Sequence, residues 1–148
     1  MKNVHVSGNV EIPKGGSDAI MQAVVCKDHI GWRDRTRRLL VFSTNAGFHY
    51  AGDDKSGEKN DGVCHMQNDI YTHSTIHNYP SISQINSKVM ENAIIFAVTP
   101  EQHEVYRELS MHIEGSSSSV LSEDSSNVVE LVRDEYNVSL DISINFSY

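Results

Sequence analysis

The chain has 148 residues, 39% hydrophobic and 22% charged, the balance of one globular domain and not of a disordered segment. Twelve Lys and Arg against 20 Asp and Glu leave a net charge of -8, which argues against a nucleic-acid binder and against contact with an anionic membrane surface. No apolar run approaches the roughly 18 residues of a spanning helix, and Met1-Lys2-Asn3-Val4-His5 has no apolar core from which to expect a signal peptide.

Pro13-Lys14-Gly15-Gly16 precedes the first element. Ser17 can cap a helix, and Ile20, Met21, Val24 and Val25 recur at helical spacing over about three turns. Leu39-Leu40-Val41-Phe42-Ser43-Thr44 is a short continuous apolar run, which predicts a strand buried on both faces. Residues 51–62, rich in Gly, Asp, Lys and Asn, read as an exposed loop. Pro80 and Ser81 open a helix with Ile82, Ile85 and Val89 on one face, and Ala93–Thr99 is a second buried strand. Pro100 stands at a helix start, where its missing N–H costs nothing, and Val105, Leu109 and Ile113 are expected to share that helix's buried face. Ser118-Ser119-Val120-Leu121 is a weak third strand, and Ser125 or Ser126 can cap a last helix carrying Val128, Val129, Leu131 and Val132. The tail from Ser139 to Tyr148 alternates apolar and polar residues, a pattern for an edge or sandwich strand. Alternating strands and helices predict an α/β fold with a parallel sheet, whose ligands bind outside the carboxyl ends of the strands.

The candidate chemistry is sparse. Gly15-Gly16 is read as a tight turn, because no phosphate-binding glycine motif accompanies it. His73 and His77 are four apart, with Cys64 and His65 upstream, which suggests zinc. Pro80 and the Thr- and Ser-rich surroundings argue against a helix there, and no Cys-x-x-Cys or His-Glu-x-x-His supports it, so zinc is not expected. No nucleophile elbow or acid–base pair at diagnostic spacing points to an enzyme. Cys26 and Cys64 are read either as buried thiols or as one disulfide.

Several segments together resemble the β subunits of integrins. Pro13-Lys14-Gly15-Gly16-Ser17-Asp18-Ala19-Ile20-Met21-Gln22-Ala23 is similar to the family's Pro-Glu-Gly-Gly-Phe-Asp-Ala-Ile-Met-Gln-Ala. Ile30-Gly31-Trp32-Arg33, Asn60-Asp61-Gly62-Val63-Cys64-His65, Tyr79-Pro80-Ser81, Ile95–Thr99 and Asp124–Val128 follow in the family's order. The resemblance covers nearly the whole chain. It implies the C-terminal part of the I-like domain, a partial von Willebrand A-type (Rossmann-like) parallel sheet flanked by helices, over residues 1–138. Residues 139–148 would then start the adjoining hybrid domain with a strand of a β-sandwich. The resemblance also implies a Cys26–Cys64 disulfide, formed in an oxidising compartment, and glycosylation at the sequons that begin at Asn137 and Asn145.

The family's domain opens with a strand ending in Asp-x-Ser-x-Ser, which carries much of its metal-ion-dependent adhesion site, and this sequence starts after that strand. Without it, the sheet is expected to present an unpaired edge. Asn9, Glu11 and Pro13 match positions that supply an Asn side chain, an Asp carboxylate and a Pro carbonyl to a flanking cation site. Lys14 stands where the family has a glutamate, and Asn45 where it has an aspartate. Glu123 matches a position whose backbone carbonyl serves a third cation site. The implied cofactors are calcium, magnesium or manganese. Ligand charge sets affinity for such hard cations, so the resemblance with these departures implies a degenerate site and weak binding.

The function implied is a share in a cell-surface adhesion receptor on the extracellular side of the plasma membrane. It would pair with an integrin alpha subunit and bind an extracellular-matrix or cell-surface protein. The alternatives are an assembly or decoy fragment without cation-dependent ligand binding, and a small stand-alone α/β enzyme.

Overall fold

The computed structural model describes residues 15–34, 36, 38–52, 56–89 and 92–145, with backbone only at 92, 93 and 138–145. The two apolar runs form neighbouring parallel strands, β1 (Arg38–Thr44) and β4 (Asn92–Val98), in a register that sets Phe42 against Phe96 and Thr44 against Val98. The serine-rich segment becomes β5 (Ser116–Val120), parallel to β4, with Ile94 opposite Ser116 and Val98 opposite Val120. The sheet order is β1-β4-β5. A parallel sheet with helical crossovers is what the sequence predicts.

Strand periodicity sorts the faces. Ile94, Phe96 and Val98 pack into the core with Leu40 and Phe42 of β1. On this face lie α1 (Gly16–Val25), α3 (Ile82–Val89) and α4 (His103–Met111). Phe42, Phe96 and Tyr106 form an aromatic cluster with ring centroids 5.4–6.1 Å apart, the separations at which such rings attract. Ile95 and Ala97 face the other way, in register with Ser117 and Ser119. Ser119 Oγ donates to Glu135 Oε1 at 3.1 Å, so α5 (Val128–Asn145) covers that side.

β4 is buried from Ile94 to Val98, as expected of a central strand. β1 departs from the expectation of burial on both faces: Val41 is 39% exposed and Ser43 is exposed. Among the described residues β1 lies at the edge of the sheet, with one neighbour.

Local chemistry explains the ends of the elements. Ser17 does not cap α1; it lies inside the helix, buried, and its hydroxyl donates to the carbonyl of His49. A short α2 (Lys27–Ile30) ends at Gly31, whose φ of +79° gives the left-handed turn that closes a helix. Ser81 and Gln84 cap α3 reciprocally: Gln84 N–H donates to Ser81 Oγ and Ser81 N–H to Gln84 Oε1. Pro100 opens a 3-10 turn (Pro100–Gln102) leading into α4. The buried face there is Tyr106, Leu109 and Ile113, while Val105 is 49% exposed. Larger Tyr106 takes the inward position because its ring completes the aromatic cluster and its hydroxyl reaches Ala46 O at 2.9 Å.

The last helix corrects two expectations. Its first backbone bond runs from Leu131 N–H to Asn127 O, so Asn127 stands at the cap instead of Ser125 or Ser126. Ser125 has φ of +56° and lies in the preceding turn, where Asp124 Oδ1 accepts from Ser126 N–H. The helix then continues through Asn145, across residues 139–145 that alternate as a strand would. A strand needs a partner to satisfy its backbone, and none lies beside this segment among the described residues. Extending an existing helix satisfies one backbone bond per residue without a new nucleus.

Candidate functional site

The carboxyl ends of the strands are the first place to look. Asn45 follows β1, is exposed, and sits where Ala46 N–H bonds back to Thr44 Oγ1 at 3.1 Å. Thr99 follows β4, its N–H donating to Thr44 O at 3.3 Å. Glu123 follows β5 in an exposed turn that Asn127 organises: Asn127 Oδ1 accepts from Ser122 N–H at 2.9 Å and Asn127 Nδ2 donates to Val120 O at 3.0 Å. Asn45 and Glu123 therefore share one end of the sheet but follow strands two places apart, about 10 Å at normal strand spacing. Asn9, Glu11, Pro13 and Lys14 lie outside the described residues. Asn137 is an exposed residue of α5.

The second place is the loop that crosses α1. Cys26, just past the end of that helix, is bonded to Cys64 with S–S 2.03 Å and Cα–Cα 4.8 Å. The disulfide reading of the two cysteines is the correct one. Both sulfurs are thereby removed from any metal-ligand set. Gln22, 5% exposed, reinforces this junction: its Nε2 donates to Val63 O at 3.1 Å and its Oε1 accepts from His65 N–H at 2.9 Å.

The Asn-Asp-Gly motif is a pair of side-chain-closed turns. Asn60 Oδ1 accepts from Gly62 N–H at 2.9 Å, and Asp61 Oδ1 accepts from Val63 N–H at 3.0 Å. Gly62 has φ of +66°, which a side chain would resist. Past Cys64 the chain forms a hairpin of β2 (Met66–Gln67) and β3 (Ile70–Tyr71). Its two turn residues, Asn68 and Asp69, have φ of +50° and +64°, the two-positive pattern of tight hairpins that favours Asn and Asp. The hairpin lies within what sequence patterning left unassigned, because two-residue strands have no readable period.

The hairpin brings three histidines together. Thr72 N–H bonds to His65 O at 3.0 Å, closing its base. A single turn then places His77 N–H on His73 O at 3.0 Å, so the two are one helical turn apart without a helix. The backbone at His77 is pinned by a bridge to Glu58, with Asn78 N–H on Glu58 O at 2.7 Å. Ring centroids are 3.7 Å apart for His65 and His73, 4.9 Å for His73 and His77, and 5.2 Å for His65 and His77. Asp61 stands beside them, its Oδ2 2.9 Å from His65 Nε2 and its Oδ1 4.0 Å from His77 Nδ1. Burial works to raise the Asp61 pKa, but the His65 hydrogen bond, the Val63 N–H and the charges of His65 and His77 together hold it below the ordinary carboxylate value. Desolvation, and then repulsion from His65 and His77, lowers the pKa of His73 against the attraction of Asp61.

The sequence match is extensive. The family model "Integrin beta chain VWA domain" matches residues 1–142. Integrin beta-PS of Drosophila melanogaster is 61% identical over 142 residues, covering 92% of this chain and 17% of that protein. Integrin beta-1 of Gallus gallus is 54% identical over 138 residues, covering 90% and 17%. Integrin beta-2 of Sus scrofa is 47% identical over 137 residues, covering 89% and 18%. The chain thus spans about a sixth of the length of these relatives. The parallel sheet, the Cys26–Cys64 bridge and these matches agree: the chain belongs to the integrin beta-chain VWA domain family.

Proposed function

We propose that this chain serves as part of an integrin beta subunit in a cell-surface adhesion receptor, on the extracellular side of the plasma membrane. It would pair with an alpha subunit there and engage a matrix or cell-surface protein. Integrin beta subunits are adhesion receptors and not enzymes, and the family match over residues 1–142 is the observation that carries this reading. No described helix is long and apolar enough to cross a membrane. Asn137 and Asn145 are proposed as glycan carriers, and residues 139–148 as the handover to the hybrid domain.

The family's cofactor is a divalent cation such as magnesium, manganese or calcium. Asn9, Glu11, Pro13, Asn45 and Glu123 are the residues we assign to it, through side-chain or carbonyl oxygens of the kind hard cations take. Two substitutions weaken the set. Lys14 places a cation where the family has a glutamate, turning Coulomb attraction into repulsion. Asn45 keeps a ligand oxygen but contributes no charge. These residues favour a receptor with a degenerate adhesion site, or an assembly role in which alpha-subunit pairing persists without cation-dependent ligand binding.

The test is a calorimetric titration of manganese into the chain and into a Lys14→Glu, Asn45→Asp double variant. The expected result is millimolar or weaker binding for the native sequence, and at least about a tenfold gain for the variant, or 1.4 kcal/mol. Equal affinity would remove the charge argument. Coprecipitation with an alpha subunit that survives a chelator, without ligand capture, would select the assembly role.

A further inference from the structure

We propose that His65, His73 and His77, with the carboxylate of Asp61, form a binding site for a zinc-class divalent transition metal. The site shares no residue with the strand-end cation set, and the inference does not rest on the adhesion reading. Each histidine offers a ring nitrogen, and the three potential ligand atoms lie within 4.8 Å of one another.

A second observation is the state of His77. It is 6% exposed, and its Nδ1 has no hydrogen-bond partner. Buried polar atoms are nearly always satisfied, so a buried ring nitrogen without a hydrogen bond, on a residue grouped with two other imidazoles and a carboxylate, suits a metal. Asp61 already neighbours both His65 Nε2 and His77 Nδ1, at 2.9 and 4.0 Å. A tetrahedral centre with bonds of roughly 2.0–2.1 Å sets its ligand atoms about 3.3 Å apart. The distances around Asp61 bracket that value, and modest side-chain rotation brings in the rest.

The chemistry selects the ion. Imidazole suits zinc, copper and nickel, whereas calcium and magnesium require oxygen ligands. The support is rigid: Cys64, bridged to Cys26, precedes His65. Gly57 packs so closely on the backbone of residues 76–78 that a Cβ would lie 2.7 Å from Ile76 O. A bound ion would therefore tie the hairpin to the base of its own loop.

The test uses the chain with its disulfide intact. Zinc is titrated calorimetrically, and cobalt is followed by the visible bands of tetrahedral coordination. The expected outcome is one ion per chain with a dissociation constant tighter than about 10 μM, undisturbed by excess magnesium. His73→Gln removes one ligand at a solvent-accessible turn without opening the core, and is expected to weaken zinc at least 100-fold. Asp61→Asn is expected to weaken it by about tenfold. Zinc, and not magnesium, should also raise the thermal midpoint of the native chain but not of the His73→Gln variant. Absence of one-to-one binding in the disulfide-intact chain overturns the site, as does undiminished binding by His73→Gln.

Discussion

At the scale of single residues, polar side chains at junctions do more than their number suggests. Gln22 holds α1 to the disulfide loop with two bonds to backbone, and Asn127 holds the end of β5 to the start of α5. Tyr106 is another, 1% exposed, with its hydroxyl donating to Ala46 O. Burial pushes its phenol from 10.0 up to about 12, against a smaller opposing hydrogen bond with Thr44. The folded chain thus keeps a proton that the unfolded chain loses near pH 10. Its contribution to stability is complete below that pH and falls as pH rises through 12. Tyr71 is raised to about 12 as well, by burial and then by the charges of Asp18 and Asp61, so an alkaline titration followed by phenolate absorbance should show two tyrosines ionising late, together with loss of the far-ultraviolet circular dichroism. Ionisation of all six tyrosines near pH 10 with the fold intact would contradict this. Composition predicts no such assignment. Tyr106 became the core residue because it points at Phe42 and Phe96, which a list of residues at helical spacing does not show.

At the scale of elements, the contact of α1 with β1 depends on having no side chain at Gly16. A Cβ there would lie 2.6 Å from Phe42 Cζ. Gly16→Ala would gain up to about 1 kcal/mol from helix propensity, but overpacking of this kind costs about 1–3 kcal/mol. A net loss of stability in urea unfolding is therefore expected, and a more stable variant would show that Phe42 can move aside. The glycine pair was legible in the sequence as a turn before a helix, but its packing role was not. The same division runs through the elements. Strands and helices with long apolar periods, β1, β4, α1 and α3, were readable because burial imposes a period on the sequence. The β2–β3 hairpin was not, because backbone bonds and two left-handed residues hold it in place of a buried face. The tail was misread over 139–145 for the complementary reason: alternation forms a strand only beside a partner.

At the scale of the whole molecule, the bridge from Cys26 to Cys64 closes a loop with a sequence separation of 38 and joins α1 to the segment that carries the histidines. Reduction should cost about 4 kcal/mol of unfolding free energy on the loop-entropy account. Urea unfolding with and without reductant measures it, and equal stability in the two states would mean that Gln22 and the Asn60–Gly62 turns hold the loop by themselves. Taken alone, the sequence determined the α/β class, the parallel sheet and the family, because apolar periodicity and an ordered set of motifs are local properties of the chain. It also contained Lys14, a cation, and Asn45, an uncharged amide, at two of the positions that bear on the proposed cation site. The tertiary structure bore out the Cys26–Cys64 bridge that the family resemblance implied, and it alone placed Ser17 inside α1 and Tyr106 in the core. It alone brought ligand atoms of His65, His73 and His77 within 4.8 Å of one another, beside a buried ring nitrogen without a hydrogen bond. A hairpin and a single turn bring those histidines together, and neither leaves a period in the sequence.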